Sequence, residues 1–147
     1  MSSTAPLGEA EITQFANDWY RKLDVHAPMV ELLPMLADAD LEMHFPEGIT
    51  RGHVGFEAWY QRVIRIFFDE VHTVKEVKAE PGGGDVNVKV VVNWQAKVWN
   101  APDATSKWLG FDAYQTWVVR RSPSTGKAII VRYVVDSLDP MEGSATL

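Results

Sequence analysis

Cysteine is missing altogether from the 147 residues. That excludes a disulfide framework, a thiolate metal site and a cysteine nucleophile. Histidine is scarce: there are four, never set as HxH, HxxxH or HExxH, so no metal centre is expected. Positive charge is in deficit, with 14 Lys+Arg against 20 Asp+Glu and a formal net charge of -6. Binding to a phosphate backbone needs clustered cations, so no nucleic-acid partner is expected. No apolar run approaches the roughly 18 residues of a membrane span. The opening MSSTAPLGEAE lacks a basic stretch followed by an apolar one, so no secretory leader is expected. The cytoplasm is the expected compartment, and a membrane is not an expected partner.

Aromatic residues, by contrast, are plentiful: six Trp, six Phe and four Tyr. The chain is long enough for one domain with a sizeable core. A core of this size does not need six Trp, so some are expected to line a cavity.

Helical spacing comes first along the chain. Residues 1–8 read as a loose arm. From Glu9, the residues Ile12, Phe15, Ala16, Trp19 and Leu23 recur on one helical face. Pro28 opens a second helix with Met29, Leu32, Leu33 and Leu36, which Pro34 shortens or distorts. Asp40 to Phe45 alternates as a short strand stopped by Pro46, and Pro46-Glu47-Gly48 reads as a turn. The third helix carries the widest apolar stripe: Phe56, Trp59, Tyr60, Val63, Ile64 and Phe67. The expected helices are 9–23, 28–36 and 53–68.

Strand patterns follow. In Val71 to Glu80 the residues Val71, Val74 and Val77 do not share one parity, which a bulge would reconcile. Pro81-Gly82-Gly83-Gly84-Asp85 is a hairpin turn before the alternating run Val86 to Val98. Lys107 to Arg121 and Ala128 to Leu138 are two more strands, joined by the turn Ser122-Pro123-Ser124-Thr125-Gly126. The tail after Pro140 reads as frayed. The order predicts an α+β domain over 9–139, its curved antiparallel sheet wrapped around three N-terminal helices.

Several phrases in that order resemble the NTF2-like (cystatin-like) superfamily and its SnoaL-like branch. They are Leu36-Ala37-Asp38-Ala39-Asp40, Gly52-His53-Val54-Gly55-Phe56, Val71-His72-Thr73-Val74, Trp94 and Tyr133-Val134-Val135-Asp136. The resemblance implies a cone with an internal pocket. It does not by itself imply one activity, because this fold carries isomerases, dehydratases, cyclases and non-catalytic binding domains. Ketosteroid isomerase places a catalytic Asp just before a Pro on the first strand. Here that position is Phe45, which cannot take a proton. Scytalone dehydratase and hexachlorocyclohexane dehydrochlorinase pair an Asp at the end of the first helix with a His on the strand after the third, and Asp24 and His72 match.

Elimination needs a base near neutrality, which imidazole supplies, and a carboxylate on its other nitrogen fixes the tautomer. Asp24, His72 and Asp136 are the catalytic candidates. Asp24 as a turn residue and His72 as a satisfied strand histidine are the bland alternatives. Arg132 is a candidate for stabilising a leaving group. Trp19, Tyr20, Phe45, Trp59, Trp94 and Tyr114 are the candidate ligand-binding residues. His44 is expected at the rim, His53 at the start of the third helix and His26 at the surface. Both faces of 107–121 are largely apolar, which predicts a homodimer through the sheet. The expected function is acid–base lyase or isomerase chemistry on a hydrophobic small molecule, without metal or other cofactor. A non-catalytic ligand-binding domain or a dimeric adaptor is the alternative.

Overall fold

The computed structural model describes residues 5–80 and 84–147. Helix α1 spans Glu9–Asp24 and buries Ile12, Phe15, Ala16, Trp19, Tyr20 and Leu23 along one side. Glu9 and Glu11 in its first turn and Arg21 and Lys22 in its last complement the helix dipole. It ends in a paired closure: Ala27 N–H reaches the Lys22 carbonyl and His26 N–H the Leu23 carbonyl. That motif requires a left-handed residue after the cap, a place usually filled by glycine. Here His26 fills it, at φ 50°.

Helix α2 is only Met29–Leu32, because Pro34 converts the continuation into a 3-10 turn over Leu33–Met35. Strand β1, Glu42–Phe45, turns its odd residues Met43 and Phe45 inward. The segment expected to be a simple turn instead leads into a further strand, β2, Gly48–Arg51, which pairs antiparallel with β1. Helix α3, Gly52–Ile66, buries Phe56 and Tyr60.

Four long strands follow: β3 Phe67–Glu80, β4 Val86–Val98, β5 Lys107–Arg121 and β6 Ala128–Pro140. The sheet runs β2-β1-β6-β5-β4-β3. It is mixed rather than wholly antiparallel, because β1 lies parallel to β6. The first three residues of the Pro81–Asp85 turn, and residues 1–4 of the expected arm, lie outside the described residues. Glu80 and Asn87 pair across that turn. The expected bulge in β3 is present between Val74 and Glu76 and sets Val74 and Val77 on one side. Val71 stays outside, exposed.

The sheet curls over α1 and α3. At one end Ile12, Val86, Val88, Val119 and Ile130 fill the interior completely. The other end, where α1 finishes, is left hollow.

The segment after Pro140 is tied down rather than frayed. Met141 N–H bonds the Gly110 carbonyl, Ala145 N–H the Trp108 carbonyl, and Gly110 N–H the Ser144 hydroxyl. Gly110 must stay bare: a Cβ there would lie 2.5 Å from Trp108 Cζ2 and 2.7 Å from Met141 Sδ. Gly110→Ala is expected to destabilise the protein by about 1–3 kcal/mol through overpacking. It should also free residues 141–147 to limited proteolysis. An unchanged melting temperature and cleavage pattern would contradict this packing.

Candidate active site

The hollow end is a cavity of about 120 Å³, on the scale of one aromatic ring. Apolar walls come from Leu23, Val63, Ile64, Val92, Ala113, Val135 and Leu138. Phe45 and Trp59 stack face to face at 3.9 Å and 5° between planes. Exposed Glu47 and Leu147 stand at its edge.

Two groups of polar side chains enter it. The first joins the end of α1 to β3. His72 Nδ1 lies 2.5 Å from Asp24 Oδ1, and Asp24 Oδ2 accepts the His72 backbone N–H at 2.9 Å. Both carboxylate oxygens are therefore committed to one residue. The ring is stacked on Tyr20 at 4.7 Å and faces Trp94 at 6.2 Å. A carboxylate can only accept, so Nδ1 carries the proton and Nε2 the lone pair. Nε2 has no hydrogen-bond partner among the described residues, and His72 lines the cavity.

The second group runs across β5. Tyr20 OH donates to Gln115 Oε1 at 2.8 Å, as does Trp117 Nε1, also at 2.8 Å. An indole nitrogen only donates, so the Gln115 oxygen must face it and the amide NH₂ is turned away. Tyr20 and Tyr133 share a further hydrogen bond at 2.9 Å. Burial pushes both phenols above their ordinary range, so both stay protonated. Tyr60, on the α3 wall, donates to the Ala27 carbonyl at 2.6 Å. Burial first, then the charges of Glu70 and Glu31, push its hydroxyl up to about 12.

No family model matches the chain, and no characterised protein matches it by sequence. Solved structures do match in shape. One is a hexachlorocyclohexane dehydrochlorinase, LinA-type3 from Novosphingobium barchaimii: 17% identity, 94% of this chain and 92% of that one, TM-score 0.72. Another, from the NTF2-like family of Streptomyces avermitilis, shares 14% identity over 90% and 95% of the two chains, with TM-score 0.71. A cystatin-like protein from Nostoc punctiforme shares 18% over the full length of both, with TM-score 0.67. The fold is NTF2-like.

Within this NTF2-like cone, the expected site residues separate into three sets. Asp24, His72, Tyr20, Phe45, Trp59 and Trp94 meet at the hollow end. Trp19 lies one layer deeper, 1% exposed, between Phe56 and Tyr133. The others face away. Asp136 accepts from the Thr116 hydroxyl at 2.7 Å on the outer sheet face. Tyr114 is 42% exposed. Arg132 pairs with Glu42 at 2.9 Å. Arg132 and Asp136 share a side of β6, and it is the side away from the cavity.

Outside, Glu42 gathers His44 at 2.8 Å together with Arg51 and Arg132. The His44 hydrogen bond, with Arg51 next, pulls its carboxyl down from 4.5 to about 2. A depressed carboxyl stabilises the fold fully above its unfolded value and loses that contribution as pH falls through the folded one. Thermal stability is therefore expected to fall between pH 4.5 and about 2, and Glu42→Gln to flatten that slope. An identical acid profile in both proteins would refute it.

Sequence reasoning missed three inward groups. Gln115 had a signal, being the lone polar residue among the inward-parity positions from Leu109 to Val119 of β5. Glu70 had none, because left-handed Asp69, at φ 51°, resets the parity of β3 just before it. His26, expected at the surface, instead bonds Glu70 at 2.5 Å.

Proposed function

We propose that the chain is an acid–base lyase that removes a carbon-bound proton from a small hydrophobic substrate seated in the cone. The observation that carries this is the His72–Asp24 pair, with the Nε2 lone pair left for substrate. Asp24 compensates the positive charge that develops on the ring during transfer. Low-polarity walls strengthen that compensation by excluding water. The Gln115 NH₂ supplies a donor for a substrate oxygen on which negative charge accumulates. The similar solved structures include a dehydrochlorinase, and the same elimination logic suits this site. The SnoaL-like branch and a cytoplasmic location belong to this proposal.

The direct test uses benzylacetone in heavy water, with exchange of the hydrogens beside its carbonyl followed by NMR. Exchange well above the buffer rate is expected. A rate equal to buffer would favour a binding domain that holds the ligand without chemistry.

A homodimer through the outer sheet face is part of the same proposal. Tyr114 stands exposed there, while Trp108 and Gly110 are partly covered by the chain's own residues 141–145. Phe111 and Trp117 point inward and are buried, so they take no part. Light scattering should give twice the chain mass, with about 800 Å² buried per partner. A monomer at high micromolar concentration would reject the dimer.

A further inference from the structure

The cavity is lopsided in charge. Among the described residues that line it there is no lysine and no arginine, yet Glu47 and Glu70 are both there. Asp24 stands behind His72 as a third carboxylate. The imidazoles in contact with these groups are His72 and His26. Three carboxylates against two imidazoles leave a negative sum even with both rings protonated. The phenol of Tyr60, on the same wall, registers that sign: after burial, the charges of Glu70 and Glu31 push it up to about 12.

The two glutamates are held differently. Glu70 is inside, its side chain 11% exposed, with Oε1 accepting from Trp94 Nε1 at 3.1 Å and Oε2 meeting His26 Nε2 at 2.5 Å. Both oxygens are taken, so it supplies field rather than a contact. Glu47 is at the mouth and exposed. Its Oε1 accepts from Trp59 Nε1 at 3.3 Å, and its Oε2 has no hydrogen bond among the described residues. Beside it stands the Phe45–Trp59 stack, and Tyr60, Phe67, Trp94 and Tyr133 carry aromatic surface on into the cone. The face of an aromatic ring is the negative side of its quadrupole and attracts a cation. Polar atoms inside are also left for a ligand. His72 Nε2 has no hydrogen-bond partner among the described residues, nor has the NH₂ of Gln115, a residue only 5% exposed.

We propose that the ligand of this cavity is an organic amine, its ring-sized apolar body inside the cone and its protonated nitrogen at the mouth, between the free oxygen of Glu47 and the Phe45–Trp59 rim. This names a substrate class for the site described above and rests on the reading that the cone takes a small hydrophobic molecule, though not on proton transfer within it. The order, body in and charge out, follows from solvation. An ammonium drawn fully inside would lose its water. At the mouth it keeps part of its shell, as a lysine head does at the end of its apolar stem. A carboxylate or phosphate on the same frame would meet Glu47 as a like charge and find no cation to pair with.

The test is titration calorimetry near neutral pH with three probes on one carbon frame: 3-phenylpropylamine, which is a cation there, 3-phenylpropan-1-ol and 3-phenylpropanoate. The ammonium should bind about tenfold tighter than the alcohol, and the carboxylate more weakly than both. Glu47→Gln keeps an oxygen for Trp59 Nε1 but no charge, and should bring the amine-to-alcohol affinity ratio close to one. Salt should compress the same ratio, because raising it from about 0.01 M to about 1 M shortens the screening length from about 30 Å to about 3 Å. A ratio unchanged by Glu47→Gln overturns the proposal. So do equal affinities for the three probes, a carboxylate bound best, or no binding of the amine at millimolar concentration. Benzylacetone exchange reads the lyase separately. Exchange without amine preference sinks this inference alone, and amine preference without exchange sinks the lyase reading alone.

Discussion

Asp24→Asn is expected to lower proton abstraction about 10²–10⁴-fold, the range a positioned general base supplies, although it changes a single oxygen to NH₂. The reason lies in how Asp24 is used. One oxygen accepts the His72 backbone N–H, which can only donate; the other accepts from Nδ1. An asparagine must keep its only oxygen on the backbone N–H. Its NH₂ then faces Nδ1 and donates to it, so the ring proton moves to Nε2 and the lone pair leaves the cavity. His72→Ala should give a loss of similar size by removing the base itself. The two losses should not add in the double variant, because the residues act as one unit. His72→Ala should also cost roughly 1–3 kcal/mol of stability by leaving Asp24 short of a partner. The check is benzylacetone exchange in heavy water beside thermal unfolding. Full exchange activity in folded Asp24→Asn would end the dyad mechanism and leave a binding role for the cavity.

Trp117→Ala carries the largest expected stability effect, about 3–5 kcal/mol, a large part of the roughly 5–15 kcal/mol that holds a domain together. Trp117 is 0% exposed. Its ring stacks on Tyr133 at 5.3 Å, tilts against Tyr20 at 6.0 Å and meets the edge of Phe15 at 6.5 Å. The cavity left by alanine would sit under Tyr20, the ring on which His72 rests. Removing Nε1 also deletes one of the two donors that orient the Gln115 amide. A fall in melting temperature of about 10 °C should follow. Trp117→Phe, which keeps most of the volume but not the donor, should retain much more stability. A loss below about 1 kcal/mol for alanine would show that the ring network collapses around the gap.

The chain pattern carried the architecture further than the chemistry. Three amphipathic stripes and four alternating runs marked the helices and long strands to within a few residues, because burial imposes a period of 3.6 or 2 on the sequence. β2 was not legible: Gly48–Arg51 is largely exposed, so no buried face writes an alternation into it. The parallel pairing of β1 with β6 left no local mark either. The Asp24–His72 pair was legible only through resemblance, since nothing in the spacing of two residues 48 apart brings them together.

The neighbouring catalytic candidates show the limit more sharply. Arg132 and Asp136 share a parity that the sequence states plainly, yet parity does not say which side of β6 meets the cavity. That depended on the register with β5, which shifts between Val118 and Val119 and again between Tyr114 and Gln115. Glu70 and His26 were hidden for the opposite reason. Each owes its direction to a left-handed backbone at itself or its neighbour, and such angles leave no periodic trace in ordinary residues. The sequence by itself determined the composition of the walls, the helical and strand periods, and the absence of thiol chemistry, because these depend on residue type and local spacing. Which polar groups converge on the hollow end was decided only by the tertiary structure. Bulges, caps and sheet register turn side chains by half a revolution, and the energy that selects those turns comes from contacts made across the whole fold.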